Sequence, residues 1–123
     1  MDTRTKILNL EAARRLRAPR LVVVTGYFDL LRAGHACELE AIRQRTGGAL
    51  LALVLPWDDA YLSQRARAEM TAALRVIDYV VAVDHGDVEA LVSALGPFEV
   101  IRLESSHALR NRELIEHVHR RSV

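Results

Sequence analysis

Cysteine is all but missing from this chain. Cys37 stands alone among 123 residues, which excludes an intramolecular disulfide and any zinc site assembled from several thiolates. Lysine is as scarce: Lys6 is the single example, so arginine carries the positive charge. Because arginine grips phosphate through a planar fork, that usage reflects either anion binding or a plain composition bias. Strong net charge is lacking too, since the formal value is +1 with both signs interspersed. Such a balance offers no basic stripe of the kind that marks a nucleic-acid binder. Long apolar runs are also absent. Positions 2–6 are all polar or charged, and the longest apolar stretches have strand length, so neither an apolar leader nor a bilayer-spanning helix is expected in these residues. The expectation is a soluble cytoplasmic protein with no membrane and no nucleic-acid partner.

What is present is alternation. Half of the residues are apolar, and the length suits a single α/β domain, 1–123, with a sizeable core. Leu8 to Leu16, with Glu11 and Arg15 at i,i+4, predicts a helix closed by Pro19. An apolar β-branched run predicts a strand over 21–25, and apolar positions at helical spacing predict a helix over 34–45 with Glu38 and Arg43 turned outward. After the break at Thr46-Gly47-Gly48, Ala49 to Leu55 reads as a second strand stopped by Pro56. Helix Leu62 to Leu74, strand Asp78 to Val83, helix Asp87 to Ala94, strand Phe98 to Leu103 and helix His107 to Arg120 follow. No repeat or low-complexity stretch interrupts them. This order predicts a Rossmann-like three-layer sandwich: an open parallel sheet of four to five strands with helices on both faces. Val22 to Val24, Leu51 to Leu55, Val80 to Val83 and Val100 to Leu103 should be buried. Ligands of such sheets bind at the carboxyl ends of the strands. Gly26 to His35, Asp58 and Asp59, Asp84 and His85, and Arg102 to His107 fall there.

The first of these clusters reads Thr25-Gly26-Tyr27-Phe28-Asp29-Leu30-Leu31-Arg32-Ala33-Gly34-His35. A strand, a glycine turn and a helix start in succession form a phosphate-binding geometry, because unpaired amides and the positive dipole end face the ligand. The segment resembles the signature G-x-F-D-x-x-H-x-G-H of the HxGH nucleotidyltransferases, with Arg32 where the first histidine stands. The resemblance extends further. Lys6 to Glu11 is similar to the lead-in of the adenylyltransferase domain of bacterial ADP-heptose synthase, and Arg67 to Val81 to that domain's approach to its third strand. It implies ATP or CTP with Mg²⁺, and a phosphorylated small molecule such as a sugar phosphate that attacks the α-phosphorus and releases pyrophosphate. Catalysis of that kind is mostly positioning and charge stabilisation.

The resemblance also assigns residues. Gly26, Tyr27, Phe28 and Asp29 would form the loop under the nucleotide, Gly34 and His35 would meet phosphate, and Arg32 would occupy the position of the missing histidine. Asp58, Arg67 with Arg65 beside it, and Arg102, which replaces a lysine, would complete the site. Resembling domains commonly pair, so a homodimer is expected. They also continue past the fourth strand to a Ser/Thr-rich turn, often G-R-S-T-x-x-I. No such turn occurs in these 123 residues, so Ser105-Ser106-His107 either stands in for it or supplies the N-cap of the last helix.

Local readings run beside these assignments. Asp29 could satisfy turn amides, His35 could be a solvated helix-start residue, and Arg65 and Arg67 could belong to a solvated helix face. His117 and His119, two residues apart, cannot form an i,i+4 metal pair, and no metal site made of protein ligands alone is expected. Arginine at position 32 can bind ground-state phosphate but cannot exchange a proton near neutral pH. The alternative is therefore a catalytically degenerate domain that binds nucleotide or phosphate, or serves as an interaction partner. A flavodoxin-like or receiver-type domain fits the layout but lacks an acidic pair after the first strand.

Overall fold

The computed structural model describes residues 2–122. Four parallel strands, β1 (Val22–Gly26), β2 (Leu50–Val54), β3 (Tyr79–Ala82) and β4 (Glu99–Arg102), pair in the order β3-β2-β1-β4. All pairings are parallel, with Val24 opposite both Ala52 and Ile101. The α/β Rossmann-like architecture expected from the sequence is borne out, with four strands among the described residues.

The strand pattern explains the layering. Every residue of β1 and β2 is buried, and alternate side chains feed two separate cores. Val22, Val24, Ala52 and Val54 pack with Leu39 and Ile42 of α2 (Ala33–Thr46) and with Ala68 and Ala72 of α3 (Gln64–Ala72). Val23, Leu51 and Leu53 pack on the opposite face with Ala13 of α1 (Leu10–Arg14) and Leu91 of α4 (Val88–Leu95). α5 (Glu104–Ser122) leaves β4 on the α2 side, where Leu103 enters the first core.

Element ends differ from expectation by a few residues, for local reasons. The first helix is only Leu10–Arg14, because Asn9 caps it by accepting the Ala12 N–H and a 3₁₀ turn, Thr3–Lys6, precedes it. α2 stops where Gly47 takes the left-handed conformation (φ 67°), which glycine adopts without penalty. The predicted burial of Val80 to Val83 and Val100 to Leu103 holds only in part. Ala82 is exposed, and β4 is an edge strand whose Val100 and Ile101 are half-buried and whose Arg102 is exposed. Glu38 and Arg43 do not turn outward: both are half-buried, and Arg43 donates to Asp78 Oδ2 (3.0 Å) and the Val76 carbonyl (2.8 Å). No helix among the described residues is long and apolar enough to cross a membrane.

The strand order places a topological switch point between β1 and β4, since β1 leads on towards β2 on one side and β4 closes the other. Crevices at such points are the usual ligand sites of open α/β sheets. The signature loop leaves β1 there, and α5 runs over it.

Candidate functional site

The loop after Gly26 turns sharply. Phe28 and Leu30 both have left-handed backbone, φ 50° and 44°, a conformation that costs a bulky residue on the order of 1–2 kcal/mol. Asp29, between them, is buried and holds the turn in place. Its carboxylate accepts from the Tyr61 N–H (2.8 Å), the Leu62 N–H (3.1 Å) and Asn111 Nδ2 (2.8 Å). One side chain thus ties the loop to the β2–α3 connection and to α5 through charge-assisted bonds. Arg67 of α3, 2% exposed, locks the same region from below. Its Nε donates to the Leu62 carbonyl (3.1 Å) and its Nη1 to the carbonyls of Tyr27 and Leu55 (2.8 Å each). Burial lowers its pKa and the Asp29 charge opposes that shift, and guanidinium stays charged throughout.

The other half of the loop is built around two imidazoles. His35, in the first turn of α2, folds back so that Nδ1 accepts the Arg32 N–H (3.1 Å), the return arm of a capping box. His107 arrives from α5. Its Nδ1 accepts the N–H groups of Tyr27 and Phe28 (3.1 Å each), and its ring meets Phe28 edge-on with centroids 4.6 Å apart. Both glycines lie beneath α5: a Cβ at Gly26 would collide with the His107 ring, and one at Gly34 would make the Arg110 guanidinium shift.

A ring nitrogen that accepts an N–H carries no proton, so the proton of each neutral ring sits on Nε2. Both Nε2 atoms are buried without a hydrogen-bond partner, as are Glu38 Oε1 and Arg110 Nε. The four groups form one cluster. The ring centroids of His35 and His107 lie 5.2 Å apart, His107 Nε2 is 4.0 Å from Glu38 Oε1, and Arg110 Nη2 is 3.8 Å from Glu38 Oε2. Ser106 Oγ donates to that same Glu38 Oε2 at 2.9 Å. Burial, reinforced by the charges of Arg110 and Arg32, lowers the pKa of His35 to about 4. Burial, with His35 and Arg110 adding to it, lowers that of His107 to about 3.

The residues singled out in the sequence are thereby sorted. Gly26, Tyr27, Phe28, Asp29, Gly34 and His35 come together with the buried guanidinium of Arg67. Arg67 is not part of a solvated face, because the three carbonyls it serves compensate its burial; Arg65 is exposed beside Glu69 (3.5 Å). Nor is His35 a solvated helix-start residue: it is 1% exposed. Arg32 is exposed, and its Nη2 donates to the Arg110 carbonyl (3.1 Å). Asp58 is exposed on the β2–α3 connection, where Trp57 stacks on Tyr27 with centroids 4.3 Å apart. Arg102 stands apart. Strand alternation directs it to the α4 face, where its Nη2 pairs with Glu89 (2.8 Å). Ser105 and Ser106 lie within the first turn of α5, which starts at Glu104, so neither is its N-cap. His117 and His119 are exposed.

Arg110 and Asn111 were not singled out by the sequence reading, and His107 was singled out only as the last residue of the Ser105-Ser106-His107 segment. Their spacing, i, i+3 and i+4, does place them on one face of α5; what that face meets depends on contacts some 80 residues away in sequence. Beside the loop, α5 and the β2–α3 connection enclose a cleft of about 520 Å³ lined by Trp57, Asp59, Tyr61, Asn111, Arg112 and Glu116, among others. Among the described residues, no group of three or more His, Cys, Asp or Glu side chains could hold a metal ion.

No family model matches the chain. Curated proteins do. The chain is 35% identical over 112 residues to the bifunctional protein HldE of Pelobacter propionicus, covering 78% of this chain and 22% of that protein. It is 32% identical over 117 residues to HldE of Geotalea uraniireducens (82% and 24%), and 37% identical over 98 residues to HldE of Syntrophotalea carbinolica (72% and 19%). The chain therefore spans less than a quarter of the length of these relatives. A lipopolysaccharide core biosynthesis protein from Thermoplasma volcanium GSS1 shares the fold, with a TM-score of 0.58 at 23% identity over 65% of this chain and 70% of its own. The signature loop and the parallel sheet thus accompany a similarity, over about four-fifths of this chain, to one segment of HldE-type bifunctional proteins.

Proposed function

We propose that this chain binds the phosphates of a nucleoside triphosphate, ATP or CTP, at the signature loop, and that any nucleotidyl transfer to a phosphorylated acceptor such as a sugar phosphate is slow. The observation that carries the reading is His35. A buried imidazole in the first turn of a 14-residue helix, with its Nε2–H unpaired, supplies a neutral donor beside the positive helix end, which suits anion binding. The cleft against Trp57 and Tyr61 would receive the nucleoside or the acceptor, because the exposed Tyr61 ring offers a face to pack on and the neighbouring Asp59 and Arg112 offer polar contacts. Mg²⁺ would be held largely by the phosphates themselves, the common arrangement for this ion, and would supply charge neutralisation at the transferred group.

Two observations favour the binding-only version of this reading. His107 already takes the loop amides of Tyr27 and Phe28, and Arg32, at the place of the first signature histidine, is directed at the Arg110 carbonyl. An arginine there supplies tight ground-state contacts, which do not by themselves raise turnover. Loss of a transition-state donor typically costs on the order of 10²–10³ in rate. The chain is expected to act as a homodimer in the cytoplasm.

Calorimetric titration with ATP and CTP plus Mg²⁺, paired with a pyrophosphate-release assay over a panel of sugar phosphates and glycerol phosphate, tests this. Nucleotide binding that weakens in His35→Ala, with little pyrophosphate formed, is the expected result. Equal binding by both proteins would move the ligand elsewhere, and rapid turnover would overturn the binding-only version.

A further inference from the structure

The unpaired groups of the buried cluster are unequal in kind. His35 Nε2, His107 Nε2 and Arg110 Nε are all donors, and Glu38 Oε1 is the one acceptor set against them. If the carboxylate, 4.0 Å from His107 Nε2, closed on that ring, donors would still remain in excess. Buried donors without partners are costly, on the order of 1–3 kcal/mol each, and persist where something accepts from them. Arg32 and Arg110 add positive charge around the same rings, and the first turn of α2 adds its dipole.

We infer that His107 and Arg110 of α5 are anion-binding residues of the signature site, with His107 Nε2–H supplying, from the far end of the chain, the donor that Arg32 does not. The ligand class is a phosphate or pyrophosphate group, free or as part of a nucleotide. Gly26 and Gly34 are the positions that admit this arrangement, since a side chain at either would displace His107 or Arg110. The division of labour within the ring is clear. Nδ1 fastens α5 to the loop through two amides, and Nε2 is left for the ligand. Glu38, which also bonds Ser106, would orient Arg110 and keep the empty site from being overly positive. This inference rests on the reading of the signature as a phosphate site, and its test separates the two.

Nitrogen-15 NMR of the histidine rings in the unmodified protein, titrated with pyrophosphate, is the direct measurement, with signals assigned by single His→Gln variants. Both His35 and His107 Nε2 resonances should move together and saturate at one affinity. Two substitutions sharpen the result. His107→Asn keeps an acceptor for the loop amides but leaves no donor at the Nε2 position, its amide ending short of it, and should weaken pyrophosphate binding about tenfold or more. His107→Gln keeps a donor near the Nε2 position and should lose markedly less. A shift of His35 alone, with His107→Asn binding as tightly as the parent, would overturn the role of α5 and leave the phosphate reading standing. If neither ring responds, both fail. Tighter binding by His107→Asn would show that α5 obstructs the site, which also overturns the inference.

Discussion

The two halves of the signature loop treat their polar groups in opposite ways. On the Asp29 side everything is matched: one carboxylate receives three donors, and the Arg67 guanidinium serves three carbonyls. On the His35 side, a few residues further along, three donors and a carboxylate oxygen are buried without partners. The matched half holds two left-handed residues in place and fastens three segments of chain together. The unmatched half is costly to the fold unless a ligand completes it. The first half is architecture, and the second is where the proposed binding would gain its energy.

Breaking the matched half should produce the largest effects. Asp29→Ala strands the donors of Tyr61, Leu62 and Asn111 next to a buried guanidinium, and should cost about 3–5 kcal/mol in urea denaturation, the usual range for breaking a buried charged network. Arg67→Met should fall in the same range. His35→Leu is the counterpart in the unmatched half. It forfeits one bond to the Arg32 amide, removes an unpaired donor, and should cost no more than about 1 kcal/mol.

Acid should single out the unmatched half next. Both histidines are more acidic in the folded chain than their ordinary 6.5, at about 4 for His35 and about 3 for His107. The unfolded chain therefore takes up protons first as pH falls below 6.5. The stability these neutral rings contribute is complete above that value and is lost progressively down to pH 4 and then 3. The slope approaches about 1.4 kcal/mol per pH unit for each ring within its window. A bound anion raises both pKa values, so pyrophosphate should flatten the slope. Denaturation curves at pH 7, 5.5 and 4.5, with and without pyrophosphate, check this. An acid slope that pyrophosphate leaves unchanged would dissociate the rings from the ligand.

Much of the frame was legible because it depends on local pattern. The β-branched run Val22 to Val24 and the apolar run Leu50 to Val54 are strands buried on both faces, and Pro56 ends the second where expected. The strand–glycine–helix grammar of residues 22–35 likewise marked where β1 gives way to the loop and α2. The parts that were not legible rest on distant partners. Arg67 sits in a helix rich in charge, and nothing nearby shows that three loop carbonyls await it. Arg102 lies at the right end of its strand, yet period-two alternation sends it to the other face. His107 matters only because β4 pairs beside β1 and carries α5 back over Gly26, a contact 80 residues long.

Smaller effects follow from the same sorting. Arg32→His should restore little or no pyrophosphate release, because the position-32 side chain is exposed and directed at the Arg110 carbonyl, outside the buried cluster. Arg102→Ala should be smallest of all. It removes an exposed ion pair with Glu89, worth at most about 1 kcal/mol, and nucleotide affinity should not change; a clear loss in calorimetry would return Arg102 to the site.

The contrast between the halves is tested most directly by urea denaturation of the parent chain and of His35→Leu, each with and without saturating pyrophosphate. The parent should gain about 2.7 kcal/mol at a pyrophosphate concentration one hundred times its Kd. His35→Leu should be nearly as stable as the parent in buffer and gain almost nothing from the ligand. Equal stabilisation of both proteins, or collapse of His35→Leu to the level of Asp29→Ala without any ligand effect on the parent, would contradict the division of the loop into a structural and a binding half.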